Sequence, residues 1–284
     1  MKSLKYFLGV NVVIASAILF SGFHLTSCTK EVVHDTTTIT VHDTICHIDV
    51  GMIAHYTFTN GSLLDESGNG NNIIFNNATA VPDRFGIPNN AYLFDGSSSY
   101  MRVADTQSLN PEKSISIMAI VKVNDFYMGT CHASEIIGKG YPDNITGYYN
   151  LRVRDPYGDC YGIPDLTKEF FVGSYGDDVP QGTAPGAASD TGSVQKQRWY
   201  TVVYTYDGRT SKMYVDGVLA GTEEKAHTFT RNNHDVFIGR HEDPSFPYWF
   251  NGVIDEIRVY NRALCECEVQ QLSQPEQEGT DGQE

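Results

Sequence analysis

Short apolar stretches separated by turn-forming residues fill most of the chain between residues 51 and 260. In several of them the apolar side chains occupy every second position, the spacing that places them on one face of a β-strand. Ser114 to Val123 is the clearest, because Ile115, Ile117, Ala119 and Val121 share one face. Many short strands of this kind, followed by one short helical segment, predict an all-β, two-sheet antiparallel sandwich of the jelly-roll type.

The turns and the last strand carry further signals. Asp207-Gly208 and Asp216-Gly217 each separate two apolar runs, which is the strongest short signal for a β-hairpin. Asp255 lies inside an apolar run near the end of the chain, where a lone carboxylate is costly unless it is paired or bound to a metal. Arg258 and backbone N–H groups are candidate partners. Asn261 is expected to cap the short helix that follows.

Motifs at both ends of residues 51–272 resemble the laminin-G-like jelly rolls of the concanavalin A-like lectin/glucanase superfamily. They are MIAHYTFTNGSLLDESGNGNN and DRFGIPNNAYLFDGSSSYMRV at the front, and FNGVIDEIRVYNRAL at the end. The resemblance implies that the first and last strands of the sandwich pair, and that a structural Ca²⁺ lies between them. Its expected ligands are the Asp255 carboxylate, a carbonyl of the turn at Gly96, and Asp65 or Asn69, since Ca²⁺ prefers oxygen donors. Alternatively, Asp65 only shapes its own turn.

Four segments are predicted along the chain. Residues 1–27 form an export signal, 28–50 a Thr-rich stalk, 51–272 the jelly roll, and 273–284 a disordered acidic tail. Leu25-Thr26-Ser27-Cys28 is similar to a bacterial lipobox, in which the signal is cut before Cys28 and a lipid is attached to it. This predicts a lipoprotein of the outer membrane that faces the periplasm or the cell exterior. The alternatives are an ordinary cleaved signal or a single membrane anchor.

The charge of the chain limits its partners. The 284 residues carry a formal net charge of −15. Loss of residues 1–27 removes Lys2 and Lys5 but no acidic residue, which leaves 18 basic against 35 acidic side chains. A surface this acidic repels phosphate backbones and disfavours nucleic acid as a partner. We expect a monomer.

Six cysteines suit an exported protein that forms disulfides. No C-x-x-C pair is present, which disfavours a zinc site. Cys131 and Cys160 bracket one insertion and are the first candidates for a bridge, while Cys46 could reach Cys265 or Cys267. With Cys28 lipidated, five cysteines remain, so one thiol is expected to stay free.

Candidate catalytic groups do not form a recognised pattern. Retaining glycoside hydrolysis needs two carboxyl groups about 5–5.5 Å apart. Asp255 and Glu256 are adjacent on a predicted strand, so their side chains are expected to point to opposite faces. The sequence contains no G-x-S-x-G, H-E-x-x-H or P-loop motif. We therefore predict no catalytic residues, with a divergent glycoside hydrolase as an alternative.

Aromatic and planar polar residues concentrate in two segments, a combination typical of sugar-binding surfaces. One segment is the central insertion and the other is the loop before the last strand, and loops on a rigid scaffold often carry binding sites. The candidate ligand-binding residues are Tyr141, Asn144, Tyr149, Arg152, Tyr157, Tyr161, Tyr248 and Trp249. The sequence thus predicts a surface lipoprotein that binds a glycan through loops. The alternative is an adhesin-like or scaffolding module that binds a surface protein.

Overall fold

The computed structural model describes residues 28–29, 32–35, 38–41, 45–140, 147–155, 167–175 and 186–274. The strands before the main body are β1 (Cys28–Thr29), β2 (Val32–Asp35), β3 (Thr38–Val41) and β4 (Ile45–Cys46). Those of the main body are β5 (Met52–Tyr56), β6 (Ile73–Asn76), β7 (Thr79–Val81), β8 (Ala91–Asp95), β9 (Met101–Val103), β10 (Ile115–Asp125), β11 (Ser134–Lys139), β12 (Tyr148–Arg154), β13 (Glu169–Tyr175), β14 (Trp199–Tyr206), β15 (Thr210–Val215), β16 (Val218–Glu224), β17 (Val236–Ile238) and β18 (Asn251–Tyr260). Two 3₁₀ turns, Thr59–Gly61 and Thr130–His132, and one helix, α1 (Glu266–Ser273), complete the described elements.

Two antiparallel sheets form the body of the protein, as predicted. The larger sheet has eight strands in the order β16-β15-β14-β10-β18-β8-β7, and β5 also pairs with β18. The smaller sheet has six strands in the order β13-β12-β11-β17-β9-β6. β1 pairs with β4, and β2 with β3, as separate two-stranded units. This is a mostly β, two-sheet jelly-roll sandwich with one short helix near its end.

The core lies between the two sheets and follows the alternation in the sequence. Ile115, Ile117, Ala119 and Val121 of β10 belong to this core. Met118 and Ile120 of the same strand are also buried, because they point to the outer face, where α1 covers them. Full burial of a large apolar side chain stabilises the fold by about 1.5–3 kcal/mol. The larger sheet is therefore covered on both faces along β10.

The first and last strands of the body pair side by side, as the resemblance implies. Residues 54–56 of β5 pair antiparallel with residues 257–259 of β18. Residues 251–254 of β18 pair instead with β8. Asp255 lies where β18 changes from one partner to the other, and a β-bulge occurs there because Ile120 pairs with Glu256 while Val121 pairs with Ile254.

The β15–β16 hairpin has the predicted tight turn. Val215 pairs with Val218, which leaves Asp216 and Gly217 as the two turn residues. Their φ angles are 52° and 79°. Positive φ at both positions is the requirement of a type I′ turn, which matches the natural twist of a hairpin.

The terminal helix starts later than the sequence suggests. Its N-cap is Cys265 rather than Asn261, and Glu268 Oε2 accepts a hydrogen bond from the Cys265 N–H at 2.9 Å. The Arg262 guanidinium also binds both oxygens of Glu268, at 2.8 Å each. This carboxylate serves the helix end and the arginine together, so its position fixes the start of α1. No helix in the described ranges is long and apolar enough to cross a membrane.

Disulfides resolve one of the open pairings. Cys46 is bonded to Cys267, with a Cα–Cα distance of 6.1 Å, and this bridge joins β4 to α1. Cys131 and Cys265 each form a disulfide too, and Cys160, the predicted partner of Cys131, lies outside the described residues. No cysteine is free in the part of the chain that the structure describes, so the expected free thiol is not found there.

Candidate functional site

The outer face of the six-stranded sheet carries the polar and aromatic residues that a binding site requires. Along β12 the side chains alternate, so that Leu151 and Val153 point into the core and Arg152 points outward. Tyr149 shares the inward face: it is fully buried, and its hydroxyl donates to the Leu109 carbonyl at 3.2 Å. Of the two β12 candidates from the sequence, Arg152 therefore lies on the outer face and Tyr149 does not.

At the β6 end of this face, four aromatic side chains gather around one arginine, and we call this group the aromatic patch. Its members are Phe75, Tyr100, Phe237, Arg240 and Trp249. The rings of Phe75 and Tyr100 are stacked, with centroids 4.6 Å apart. The Tyr100 centroid lies 6.0 Å from that of Phe237 and 6.3 Å from that of Trp249. Phe75 is 36% exposed and the other members are half-buried.

The guanidinium of Arg240 lies among three of these rings. Its Cζ atom is 5.1 Å from the Tyr100 centroid, 5.5 Å from that of Phe237 and 5.0 Å from that of Trp249. Its Nε donates to the His241 carbonyl at 2.7 Å, and its Nη2 to the Glu242 carbonyl at 2.9 Å. These contacts hold the guanidinium beside the three rings on a partly exposed surface. Such an arrangement offers stacking faces and charged N–H donors together.

Next to the patch lies a largely buried group of polar residues, the polar cluster, made of Glu135, Tyr148, Asn150, Arg152 and His241. Glu135 is fully buried, and its Oε2 accepts from Asn150 Nδ2 at 3.1 Å and lies 3.8 Å from Arg152 Nε. Its Oε1 has no hydrogen-bond partner. Arg152 Nη2 also donates to the Tyr148 hydroxyl at 2.9 Å. A β-bulge between Glu135 and Ile137 sets this geometry.

Burial controls the protonation of the polar cluster. It raises the pKa of Glu135 to about 7, although Arg152 and Asn150 act in the opposite direction. Burial also lowers the pKa of His241 to about 3, and the nearby Arg152 charge adds to this shift. His241 is therefore neutral near pH 7, whereas Glu135 titrates there.

The loop before β18 folds onto the polar cluster. The Glu135 N–H donates to the Tyr248 carbonyl at 2.7 Å. The Tyr248 ring lies 5.6 Å from the Arg152 Cζ and 5.2 Å from the His241 ring. Arg152 and Tyr248 thus meet as candidate residues of one surface, while Trp249 belongs to the adjoining aromatic patch. Four other candidates lie outside the described residues: Tyr141, Asn144, Tyr157 and Tyr161.

A second concave site lies beside Asp255, in a cleft of about 230 Å³. Asp255 is 4% exposed, and its carboxylate accepts a hydrogen bond from Arg84 Nη1 at 2.6 Å, so its partner is Arg84 rather than Arg258. Glu256 lines the same cleft and binds His55 Nε2 at 2.9 Å and Arg258 Nε at 2.6 Å. The expectation that the two acids point to opposite faces is wrong, because the bulge at Asp255 breaks the alternation.

These two neighbouring acids differ in protonation. Burial raises the pKa of Asp255 to about 6 even though Arg84 stabilises its charged form. Burial also acts on Glu256, but His55 and Arg258 outweigh it and lower its pKa. Each carboxylate forms an ion pair with at least one basic side chain, an arrangement typical of a structural ion-pair cluster.

Two of the expected calcium ligands, the carboxylates of Asp255 and Asp65, already bind other groups of the protein. Arg84 already occupies the Asp255 carboxylate. Both oxygens of Asp65 accept hydrogen bonds from its own loop, including those from Ser67 and Asn71. Asn69 lines a different cleft, of about 430 Å³. Gly96 follows β8, and its N–H, rather than the carbonyl expected as a ligand, contacts the Phe250 carbonyl at 3.0 Å. Within the described ranges, no three His, Cys, Asp or Glu residues are grouped to hold a metal. Calcium stays a prediction of the resemblance.

Sequence reasoning missed most of the aromatic patch and Glu135. A usable signal was present in Val236-Phe237-Ile238, where an aromatic residue lies between two apolar residues that point into the core. Arg102 lies outward between Met101 and Val103 in the same way, and it pairs with Phe237 across the sheet. The contacts of Tyr100 with Phe75 and with Trp249 depend on the strand order, which no local pattern gives.

Comparisons with known proteins agree with this fold. The laminin-G family model described as the concanavalin A-like lectin/glucanases superfamily matches residues 95–270. Domain 4 of AbnA, a GH43 extracellular arabinanase from Geobacillus stearothermophilus, solved in complex with arabinotriose, is similar in structure. The TM-score is 0.52 at 22% sequence identity, over 78% of this chain and 98% of that one.

Two toxin binding domains also share the fold. The binding domain of Paraclostridial Mosquitocidal Protein 1 has a TM-score of 0.58 at 14% identity, and that of Botulinum Neurotoxin DC, in complex with SialylT, has 0.56 at 14%. Each comparison covers 80% of this chain but only 52% of the toxin chain, so this chain spans about half their length. No curated protein sequence matches. Because the family model covers more than half of its residues, the chain belongs to the concanavalin A-like lectin/glucanases superfamily.

Proposed function

We propose that this protein is a non-catalytic carbohydrate-binding module whose ligand lies on the outer face of the six-stranded sheet, at the aromatic patch. The proposal rests on one observation, a partly exposed group of aromatic rings around Arg240: Phe75, Tyr100, Phe237 and Trp249. Sugar rings pack their C–H faces on aromatic rings, and planar polar side chains fix their orientation. The similar arabinanase domain was solved with arabinotriose, which supports a sugar ligand for this fold.

In this proposal the polar cluster holds the aromatic patch in position, and the patch rather than the cluster binds the sugar. Glu135 and Arg152 are held by neighbouring strands, and Tyr248 covers them. Buried and hydrogen-bonded groups of this kind keep a binding surface rigid, which lowers the entropic cost of binding. We therefore place the sugar contacts on Trp249 and its neighbours, and assign Arg152 and Tyr248 to the support of that surface.

A glycan array followed by calorimetric titration tests the proposal. Trp249→Ala should weaken binding by about five- to 150-fold, since stacking on an aromatic ring contributes on the order of 1–3 kcal/mol. Trp199→Ala is the matched control, because Trp199 is the other of the two tryptophans and lies on the larger sheet. Equal loss in both variants, or silence on a broad array, would defeat the proposal.

A protein ligand is the second candidate, and one observation favours it. Ile74 and Phe75 lie on β6, an edge strand of the smaller sheet, and Ile74 is 55% exposed. An edge strand with apolar side chains can pair with a strand of another protein. Under this alternative Ile74→Lys would abolish partner binding and leave every glycan interaction unchanged.

A divergent glycoside hydrolase is a weaker candidate. Asp255 and Glu256 share a cleft and their pKa values shift apart, which is the pattern of an acid and its partner carboxylate. Burial of Asp255, and the pairing of Glu256 with His55 and Arg258, account for both shifts without a substrate. Release of reducing sugar from a glycan that the protein binds on the array would favour this candidate instead, provided that Glu256→Gln abolishes the release.

The proposed location is the outer membrane, through a lipid on Cys28. The support is the tetrapeptide Leu25-Thr26-Ser27-Cys28 after a basic and apolar leader. Residues 29–50 would then act as a stalk between the lipid and the sandwich. A lipid-anchored sugar-binding module of this kind would hold a glycan close to the cell envelope.

A further inference from the structure

Arg240 differs from every other arginine of the chain. Each of the others forms a salt bridge with an aspartate or glutamate: Arg84, Arg102, Arg152, Arg154, Arg198, Arg209, Arg231, Arg258 and Arg262. Arg240 forms none within the described residues, although the chain has a net charge of −15. In so acidic a protein, an arginine that forms no salt bridge with a carboxylate is an exception that needs a physical explanation.

The surroundings of Arg240 leave part of its binding capacity unused. The Nε and Nη2 atoms each donate to one backbone carbonyl, and among the described residues no acceptor is bound to Nη1. Burial lowers the pKa of Arg240, and the negative charges of Glu242 and Asp243 only partly offset this. A half-buried guanidinium with free donors is a strong site for an anionic oxygen pair, since it can donate two parallel hydrogen bonds.

We propose that the glycan bound at the aromatic patch carries an anionic substituent, a carboxylate or a sulfate, which binds the Nη atoms of Arg240 while the sugar ring packs on Trp249. This inference rests on the proposed function and names its ligand class. Arg102, which is exposed and pairs with Phe237 across the sheet, lies at the same place, but Asp235 at 3.5 Å balances its charge, so the positive charge there comes from Arg240. The local charge is needed because the acidic body of the protein would otherwise repel such a glycan.

Matched glycan pairs on an array test the inference directly. The probes are oligouronides with their neutral methyl esters, sialylated with asialo glycans, and sulfated with desulfated oligosaccharides. The wild-type protein should bind the charged member of at least one pair about ten- to a hundredfold more tightly, as expected for hydrogen bonds to a charged group. The carboxylate and sulfate arms show which anion is preferred, and added salt should reduce the difference.

Variants separate this inference from the proposed function. Arg240→Gln should remove the preference for the charged member and keep residual binding of the neutral one, whereas Arg240→Lys should keep part of the preference. Arg209→Gln is the control, because Arg209 pairs with Glu224 on the other sheet. Melting curves verify that each variant is folded. Equal binding of charged and neutral members by wild type would overturn the inference alone. Binding of no glycan by wild type would overturn both.

Discussion

At the scale of single residues, the molecule depends on how each buried charge is balanced. Lys139 is fully buried and bonded to Asp105 at 2.9 Å, and Lys168 is fully buried against Asp155. Asp255 has Arg84. Glu135 is balanced least well, because Arg152 is 3.8 Å away and Oε1 has no partner. An ionised carboxylate in such a position costs free energy.

Glu135 should make stability depend on pH. Its pKa is raised from 4.5 to about 7 in the folded protein. Between these values the folded state holds a proton that the unfolded state has lost, so this group makes the free energy of unfolding fall as pH rises from about 4.5 to 7. Below 4.5 its contribution is fully present, and above 7 it is lost.

We predict that Glu135→Gln removes this dependence. Relative to wild type, the variant should gain up to about 3 kcal/mol in free energy of unfolding between pH 4.5 and 8. Urea denaturation at both pH values measures the gain. Glu224→Gln is the control, since its side chain is 65% exposed. A constant difference between Glu135→Gln and wild type across this range would show that Glu135 does not titrate as described.

The Asp255–Arg84 pair gives a second prediction. Arg84→Gln leaves a buried carboxylate without its cation and should cost about 3–5 kcal/mol at pH 8. Arg84→Gln/Asp255→Asn should be more stable than the sum of the single variants implies, with a coupling of about 1–3 kcal/mol. A double-mutant cycle by urea denaturation measures it. Simple additivity would mean that the pair is not coupled.

Calcium can be tested on the same residue. Because Arg84 occupies Asp255, we predict that a chelator leaves the melting temperature of the wild-type protein unchanged. A lower melting temperature after chelation, restored by added Ca²⁺ and absent in Asp255→Asn, would instead establish the site that the family resemblance implies.

At the scale of elements, β18 explains why sequence reasoning succeeded in part. Its apolar residues Ile254, Ile257 and Val259 reach the core, and its pairing with β5 follows the resemblance. The bulge at Asp255 was not predicted, because the sequence shows no local sign of the change in partner from β8 to β5. Regular alternation therefore allowed the strands to be predicted. The cleft with two acids lies at the bulge, where the alternation is interrupted, and so it was not predicted.

The disulfide between β4 and α1 links the two ends of the body, and its contribution to stability can be measured. Cys46→Ala/Cys267→Ala should lower the free energy of unfolding by about 2–4 kcal/mol, because the bond closes a long loop in the unfolded chain. The two bonded residues are 221 positions apart in sequence. Peptide mapping without reduction should find the 46–267 link. A link from Cys46 to Cys265 would contradict the pairing.

At the scale of the whole molecule, the two sheets differ in what covers them. Residues of α1 pack on the outer face of the larger sheet, through Val269 and Leu272. On the smaller sheet the aromatic patch remains partly exposed. The sandwich, its turns and its paired ends could be predicted, because they depend on local periodicity and on motifs. The patch could not, because Phe75, Tyr100 and Trp249 meet only through the order of strands.

The predicted lipid anchor also belongs to this scale. Cells fed labelled palmitate should incorporate it into the wild-type protein and not into Cys28→Ala. Cys46→Ala should keep the label, because its cysteine lies outside the lipobox. Label that persists in Cys28→Ala, or none in wild type, would defeat the prediction of a lipoprotein.

The most direct test of the proposed site asks whether the sugar binds at Trp249. The chain contains two tryptophans, so Trp199→Phe leaves Trp249 as the only tryptophan emitter. Titration of this variant with an array-positive glycan should give a saturable change in tryptophan emission, with the same dissociation constant as calorimetry. An unchanged emission at a glycan concentration that saturates the calorimetric signal would place the sugar elsewhere and contradict the account.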